Sequence, residues 1–279
     1  MGYALKLDAG QPISLADHDP GSTAGLHKDE AERRLEALSE ELGQLQELCY
    51  AAAHHGVLIV LQGMDTSGKD GTIEHVMRSV NPQGCRIVSF KVPTELELSH
   101  DFLWRVHAAA PERGMITIFN RSHYEDVLVA RVRKLVPEAV WRARYAHINH
   151  FERLLTDNAT IVLKFFLHIS LEEQAERLAA REREVDKRWK LNVGDYQTRR
   201  EWPAYMAAYE DALRECATEW APWYVVPADK KWFRNLAVAQ AVVETLRTHK
   251  DTWREALRER GQRQYEALLA ARAKGEALL

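Results

Sequence analysis

The feature that most constrains this chain is the string GMDTSGKDG at residues 63–71, set directly after the apolar run VLIVLQ at residues 57–62. A short, uninterrupted apolar run predicts a strand covered on both faces, as strands of parallel sheets are. Gly63, Gly68 and Lys69 match G-x-x-x-x-G-K, the pattern of a loop that leaves a strand, cradles phosphate and opens a helix. Glycines let successive backbone N–H groups turn inward around phosphate oxygens at a helix N-terminus. Lys69 adds a point charge where negative charge accumulates during phosphoryl transfer. The plain alternative is a glycine-containing strand-to-helix turn with no ligand, and strand, spacing and lysine together argue against it. The loop's own contributors are Gly63, Met64, Asp65, Thr66, Ser67, Gly68, Lys69, Asp70 and Gly71.

The rest of the chain alternates in the way such a loop demands. Further strands are predicted at 86–90, 115–119, 160–169 and 223–228. Helices are predicted at 28–53, from 69, at 99–110, across 122–156 with a break near Pro137, from 171, from 203, and from 231 to the end. The expected fold class is α/β: three layers, α/β/α, of the P-loop kinase type, with a five-stranded parallel sheet and right-handed crossovers. A single structural domain is expected, with residues 1–55 an arm and helix packed on the core. Residues 56–279 would be the P-loop domain, carrying a helical lid at about 181–202. That segment holds Arg181, Lys187, Arg188, Lys190 and Arg199 with few apolar residues to bury. A solvated charged loop is the bland reading, and its place before the last strand favours a phosphate-gripping lid.

A net charge of −3 argues against a general nucleic-acid binder. Three cysteines without a CxxC pair suit a reducing compartment. No apolar run approaches the roughly 20 residues that span a bilayer, and MGYALKLDAG is not a signal peptide. The expectation is a cytoplasmic protein with no membrane partner.

Two positions depart from an ordinary NTPase. The residue after Lys69 should carry a Mg2+-binding hydroxyl, yet it is Asp70. The third strand should end in a carboxylate, yet it ends in Asn120, followed by RSHYED. Asp65 inside the loop would repel phosphate unless a metal ion or a cation intervened, or unless Asp65 orients an attacking phosphate oxygen. Four-residue spacing from Arg121 puts Glu125 on the same helical face, although Glu125 and Asp126 also suit a helix N-terminus with no further role. The strand ends thus collect Asp65, Lys69, Lys91, Arg121 and Glu125 at the edge where α/β sheets bind ligands.

These residues resemble the polyphosphate kinase 2 family. The resemblance rests on GMDTSGKDG, SFKVPTELELSHDFLWR, IFNRSHYEDVLVARV, HFERLLTDNAT, KRWKLN, AYEDAL and APWYVVPADKKWFR, and spans about residues 20 to 245. It implies a thymidylate-kinase-like fold with a lid, acting with Mg2+ (or Mn2+) on inorganic polyphosphate and adenine or guanine nucleotides, commonly as a homo-oligomer. By that resemblance Asp65 and Lys69 are the essential loop pair, Arg121 binds phosphate, and Asp65 and Glu125 are candidate metal contacts, directly or through water. Asn120 with Glu125 resembles the branch that accepts both AMP and ADP. The sequence Glu215, Cys216, Ala217, Thr218 departs from that branch's pattern. The rivals are an ATP-dependent kinase, which wants a hydroxyl after Lys69 and an acid at 120, and a non-catalytic P-loop sensor. His147 and His150 lack a third ligand and read as surface residues. Most tryptophans read as core, with Phe102 or Trp104 as candidates to stack on a base.

Overall fold

The computed structural model describes residues 2–274, apart from the side chain of Lys187. In chain order the elements are β1 (Leu5–Lys6), α1 (Lys28–Ala52), β2 (Gly56–Gln62), α2 (Lys69–Val76), β3 (Cys85–Ser89), α3 (Glu95–Leu98), α4 (Trp104–Ala109) and β4 (Ile116–Asn120). Then come α5 (Val129–Val132), α6 (Glu138–Asp157), β5 (Thr160–His168), α7 (Leu171–Arg183), α8 (Val193–Arg200), α9 (Trp202–Cys216), β6 (Trp223–Pro227), α10 (Lys231–Arg247) and α11 (Lys250–Ala273). The expected helix beyond residue 274 lies outside the described residues.

The sheet runs β1-β6-β5-β2-β4-β3. The expected parallel strands are β2 to β6, and they pair in parallel as the strand–helix alternation requires. The five-stranded count is corrected by β1, which pairs antiparallel to β6 and makes the sheet mixed and six-stranded. Two residues give no alternation to read. β1 forms because β6 would otherwise present an open hydrogen-bonding edge, and the arm covers it. The arm is further tied where Leu15 is buried and its N–H donates to Glu210 Oε1 at 2.7 Å.

All seven residues of β2 are buried, as continuous apolarity demanded. The helices form two groups: α1, α2, α10 and α11 pack together, as do α5, α6 and α9, and both groups reach β5. Each fully buried Val, Leu or Ile contributes about 1.5–3 kcal/mol. Of the expected helix at 99–110 only α4 forms, and a second short helix, α3, precedes the span. Thr94 and Glu97 form a capping box that starts α3 early, and Asp101 Oδ1 takes the Leu103 N–H at 2.9 Å between them. Pro137 does cap α6, but the stretch before it is a 3-10 turn at His123–Asp126 followed by α5. Among the described residues no helix is long and apolar enough to cross a membrane.

The register places the site. Asn120 of β4 stands opposite Leu61 of β2 on one side and Ser89 of β3 on the other. Parallel strands end together, so whatever follows Gln62, Ser89 and Asn120 is gathered at one edge.

Candidate active site

The chain leaves β2 through a loop with three left-handed residues, Gly63 (φ +152°), Thr66 (φ +65°) and Gly68 (φ +100°), before α2 opens at Lys69. Gly68 is favoured on two counts. Its φ disfavours a side chain, and a Cβ there would lie 1.8 Å from Arg234 Nη1, so that the guanidinium would have to move. Lys69 folds back across the loop, its Nζ donating to Gly63 O at 2.8 Å and Met64 O at 3.2 Å. Burial, helped by the Arg121 charge, pushes the Lys69 ammonium down to about 8. Met64 and Ser67 are buried beneath the loop rather than exposed to a ligand.

Arg121 stands at φ +61° directly after β4, its N–H bonded to Leu61 O at 3.1 Å. It therefore belongs to no helix, which corrects the expectation that helical spacing joins it to Glu125. Ser122 instead caps the 3-10 turn, accepting from Tyr124 N at 3.2 Å and from Gln62 Nε2 at 3.1 Å. That tight turn still brings Glu125 within 3.4 Å of Arg121 Nη1, while Nη2 meets Asp65 Oδ1 at 2.5 Å. Burial alone would lower the Arg121 guanidinium, but Glu125 and Asp65 more than offset it and raise it above its ordinary value. The cation beside Asp65 is thus Arg121. Asn120 Nδ2 donates to Asp70 Oδ1 at 2.6 Å, so the two unusual positions are partners. An acid at position 120 would face Asp70 and be repelled.

Beneath the turn lies a fully buried quartet. Lys164 Nζ donates to Glu152 Oε2 at 2.5 Å and to the Tyr124 hydroxyl at 2.9 Å; Tyr124 donates to Glu152 Oε1 at 2.8 Å, and His123 Nε2 sits 3.3 Å from the same oxygen. Burial works to raise the Glu152 carboxyl, but Lys164 and His123 hold it below its ordinary value. This ion pair anchors the segment that presents Arg121 and Glu125.

A cleft of about 610 Å³ opens over the loop. Of the expected residues, Asp65, Thr66, Gly68, Lys69, Asp70 and Gly71 line it from the loop. Lys91, Asn120 and Arg121 line it from the strand ends, and Arg181 and Lys190 from the basic segment. Gly63, Met64 and Ser67 of the loop are not part of the lining, and three more expected residues stand apart from it. Glu125 reaches it only through Arg121, Arg188 Nε donates to Glu182 O at 3.0 Å, and Arg199 Nη1 donates to Leu171 O at 2.6 Å. The Lys187 side chain lies outside the described residues. The aromatic candidates Phe102 and Trp104 are not part of this lining. Trp104 stacks on His100 with centroids 4.2 Å apart and Phe102 lies under Arg144, whereas Phe90 and Trp189 line the cleft, Trp189 being 78% exposed rather than core. His147 and His150 are exposed.

Sequence reasoning missed Gln174, Arg177 and Arg234, all of which touch the loop's backbone, and Asp195, which accepts from Arg181 Nη1 at 3.0 Å in the cleft wall. Arg177 reads in the sequence as an ordinary i, i+4 partner of Glu173, and Arg234 lies 166 positions beyond Gly68.

Comparison with known proteins points the same way as the geometry. The family model described as Polyphosphate kinase 2 (PPK2) matches residues 25–254. The chain is 55% identical over 244 residues to the AMP/ADP-polyphosphate phosphotransferase of Meiothermus ruber, covering 88% of this chain and 91% of that protein. It is 44% identical over 268 residues to the ADP-polyphosphate phosphotransferase of Rhodopseudomonas palustris, covering 91% of each. The crystal structure of polyphosphate kinase 2 from Arthrobacter aurescens TC1 superposes with a TM-score of 0.83 at 43% identity, covering 85% of this chain and 86% of that one.

Proposed function

The chain belongs to the polyphosphate kinase 2 family, and from that premise we propose that it reversibly moves phosphoryl groups from inorganic polyphosphate to AMP and ADP, giving ADP and ATP. The observation that carries the reading is Arg121 held between Asp65 and Glu125 at the mouth of the phosphate loop. Phosphoryl transfer needs little covalent help. Positioning and charge neutralisation do most of it, and an acceptor phosphate is already ionised, so no general base is required. In this reading Lys69 and the first-turn N–H groups of α2 hold the phosphates next to the transferred group. Arg121, tethered by two carboxylates, meets the charge that spreads over the phosphoryl oxygens. The segment 181–202 acts as the lid, with Arg181 and Lys190 on the polyphosphate.

Mg2+ fits this site in one particular way. Among the described residues no three His, Cys, Asp or Glu side chains converge as a metal cage. Mg2+ binds through one or two carboxylates with waters and substrate phosphates supplying the rest; Asp65, in the cleft lining, would hold it directly, and Glu125, behind Arg121, only through water. When bound, the ion neutralises phosphate charge. Acceptance of both AMP and ADP rests on Asn120: its amide spends one N–H on Asp70 and keeps the second for an acceptor phosphate that an acid would repel.

The test is to incubate purified protein with polyphosphate, AMP and Mg2+ and to follow ADP and ATP by chromatography. Formation of both is expected. No product with polyphosphate, but product when ATP is the only donor, would replace this reading with an ordinary ATP-dependent kinase.

A further inference from the structure

The carbonyl oxygens of the phosphate loop are occupied one after another. Gly63 O and Met64 O accept from Lys69, and Asp65 O accepts from Gln174 Nε2 at 3.1 Å. Thr66 O accepts from Arg177 Nη1 at 2.9 Å, and Ser67 O from Arg177 Nη1 at 3.2 Å and Arg234 Nη1 at 3.1 Å. Gly68 O accepts from Thr72 N at 2.9 Å. For Asp65, Thr66 and Ser67 the donors are side chains of α7 and α10, and neither helix is adjacent to the loop in sequence.

We propose that Gln174, Arg177 and Arg234 are positioning residues: they draw three successive carbonyls out of the cradle, so that the N–H groups of Thr66 and Gly68 face the polyanion while the Ser67 N–H closes the loop on Met64 O at 3.1 Å, and they set two cations behind it. In a trans peptide the C=O and the following N–H point in opposite directions. Holding Asp65 O and Ser67 O outward therefore holds the N–H groups of Thr66 and Gly68 inward. The inference rests on the functional reading above and deepens it by saying what shapes its anion site.

Arg234 makes the case beyond packing. Its side chain is buried, yet its partners are Ser67 O and Asn235 Oδ1, both neutral. Burial and the neighbouring Arg177 push its guanidinium down to about 9. Arg177 does have a carboxylate, Glu173 at 2.8 Å, and it also reaches Ala228 O and Asp229 O at 2.8 Å, tying the loop to the end of β6. A buried cation with no counter-charge is unfavourable by itself. It becomes favourable when phosphate occupies the loop directly in front of it, where Gly68 leaves no side chain between them. Gln174 is held in turn by Arg199 Nη1 at 3.1 Å, so α8 of the basic segment braces the same device.

The test is equilibrium binding of tripolyphosphate by calorimetry to the full chain and to Arg234→Met, Arg234→Lys and Gln174→Met, with the KM for polyphosphate and the thermal midpoint of each. Losing a charged hydrogen bond and the cation should weaken tripolyphosphate about tenfold or more in Arg234→Met and raise the KM for polyphosphate in step, with Arg234→Lys in between. Gln174→Met, which removes no charge, should weaken it about three- to tenfold. A purely structural residue would lower the midpoint but leave affinity per folded molecule unchanged. Affinity and KM within twofold of wild type in folded Arg234→Met therefore overturn the proposal. If that variant does not fold, the same outcome in Gln174→Met overturns it. Wild-type protein that fails to bind tripolyphosphate overturns the functional reading and this inference with it, whereas wild-type binding that the variants leave untouched overturns this inference alone.

Discussion

Replacing Lys69 by methionine should produce a protein that is more stable at neutral pH and almost inactive. Lys69 titrates at about 8 in the fold against an ordinary value of 10.5, because burial disfavours its charge. At about 1.4 kcal/mol for each pH unit, keeping the ammonium charged costs the fold about 3 kcal/mol. Methionine removes that cost and also loses the bonds to Gly63 O and Met64 O, each contributing about 1 kcal/mol. The net expectation is a variant more stable than wild type by about 1 kcal/mol at pH 7. The sign of the pH dependence follows from proton counts. The folded value lies below the unfolded one, so between about 8 and 10.5 the unfolded chain holds more protons and wild-type stability rises with pH. The penalty is complete below about 8 and gone above 10.5, so the variant's advantage should vanish across that window. Activity runs the other way. Wild-type kcat/KM for polyphosphate should fall about tenfold per pH unit above about 8, as the free enzyme loses the ammonium. Turnover by the variant should be down by about 10²–10³ throughout. Urea unfolding of both proteins from pH 7 to 10, with kcat/KM in parallel, checks all of this. A variant clearly less stable than wild type at pH 7, or a flat wild-type kcat/KM up to pH 9.5, would refute the reasoning.

Asp65→Asn and Arg121→Gln should each lower kcat by about 10²–10³ with unchanged circular dichroism, since each removes a preorganised charge at the transferred phosphoryl; steady-state kinetics decide it. Asn120→Asp should impair turnover by setting two carboxylates face to face across the 2.6 Å contact with Asp70, and adding Asp70→Ser should recover activity, a pairing that a double-mutant cycle measures. Glu125→Asn should change the ratio of AMP to ADP phosphorylation, read from product analysis, because Arg121 then keeps only Asp65; an unchanged ratio would remove Glu125 from acceptor choice. Glu152→Ala should destabilise the protein by about 3–5 kcal/mol in urea unfolding, because Lys164 is left charged and buried without its partner.

The parts of the site that were readable in the sequence are those whose cause is local. VLIVLQ reads as a covered strand, and glycine spacing with a lysine after it favours a phosphate loop over a bare strand-to-helix turn. Asp65, Lys69 and Arg121 were found because the motif and the parallel strand ends fix their place. The pairing of Arg121 with Glu125 was also found, but for the wrong reason: a left-handed residue and a 3-10 turn join them, and a four-residue spacing does not tell that turn from a helix. What escaped was set by tertiary neighbours. Gln174 meets Asp65 across 109 positions and Arg234 meets Ser67 across 167, and neither carries a local pattern. β1 escaped because two residues cannot show a period, and its strand character comes from the edge it covers.

Gly68 fits against Arg234 as a key fits its lock, and that contact bears on how far the nine-residue loop could be transplanted. Spliced onto another strand-to-helix junction, the string would keep its glycines and its lysine but would meet no guanidinium from α10 and no arginine or amide from α7. Its carbonyls would be free to turn toward the ligand, and, on the proposal above, phosphate would meet oxygen where the native loop offers it N–H. The loop is therefore not a self-contained module. A scan for the pattern alone would accept chains whose remaining helices cannot hold it open.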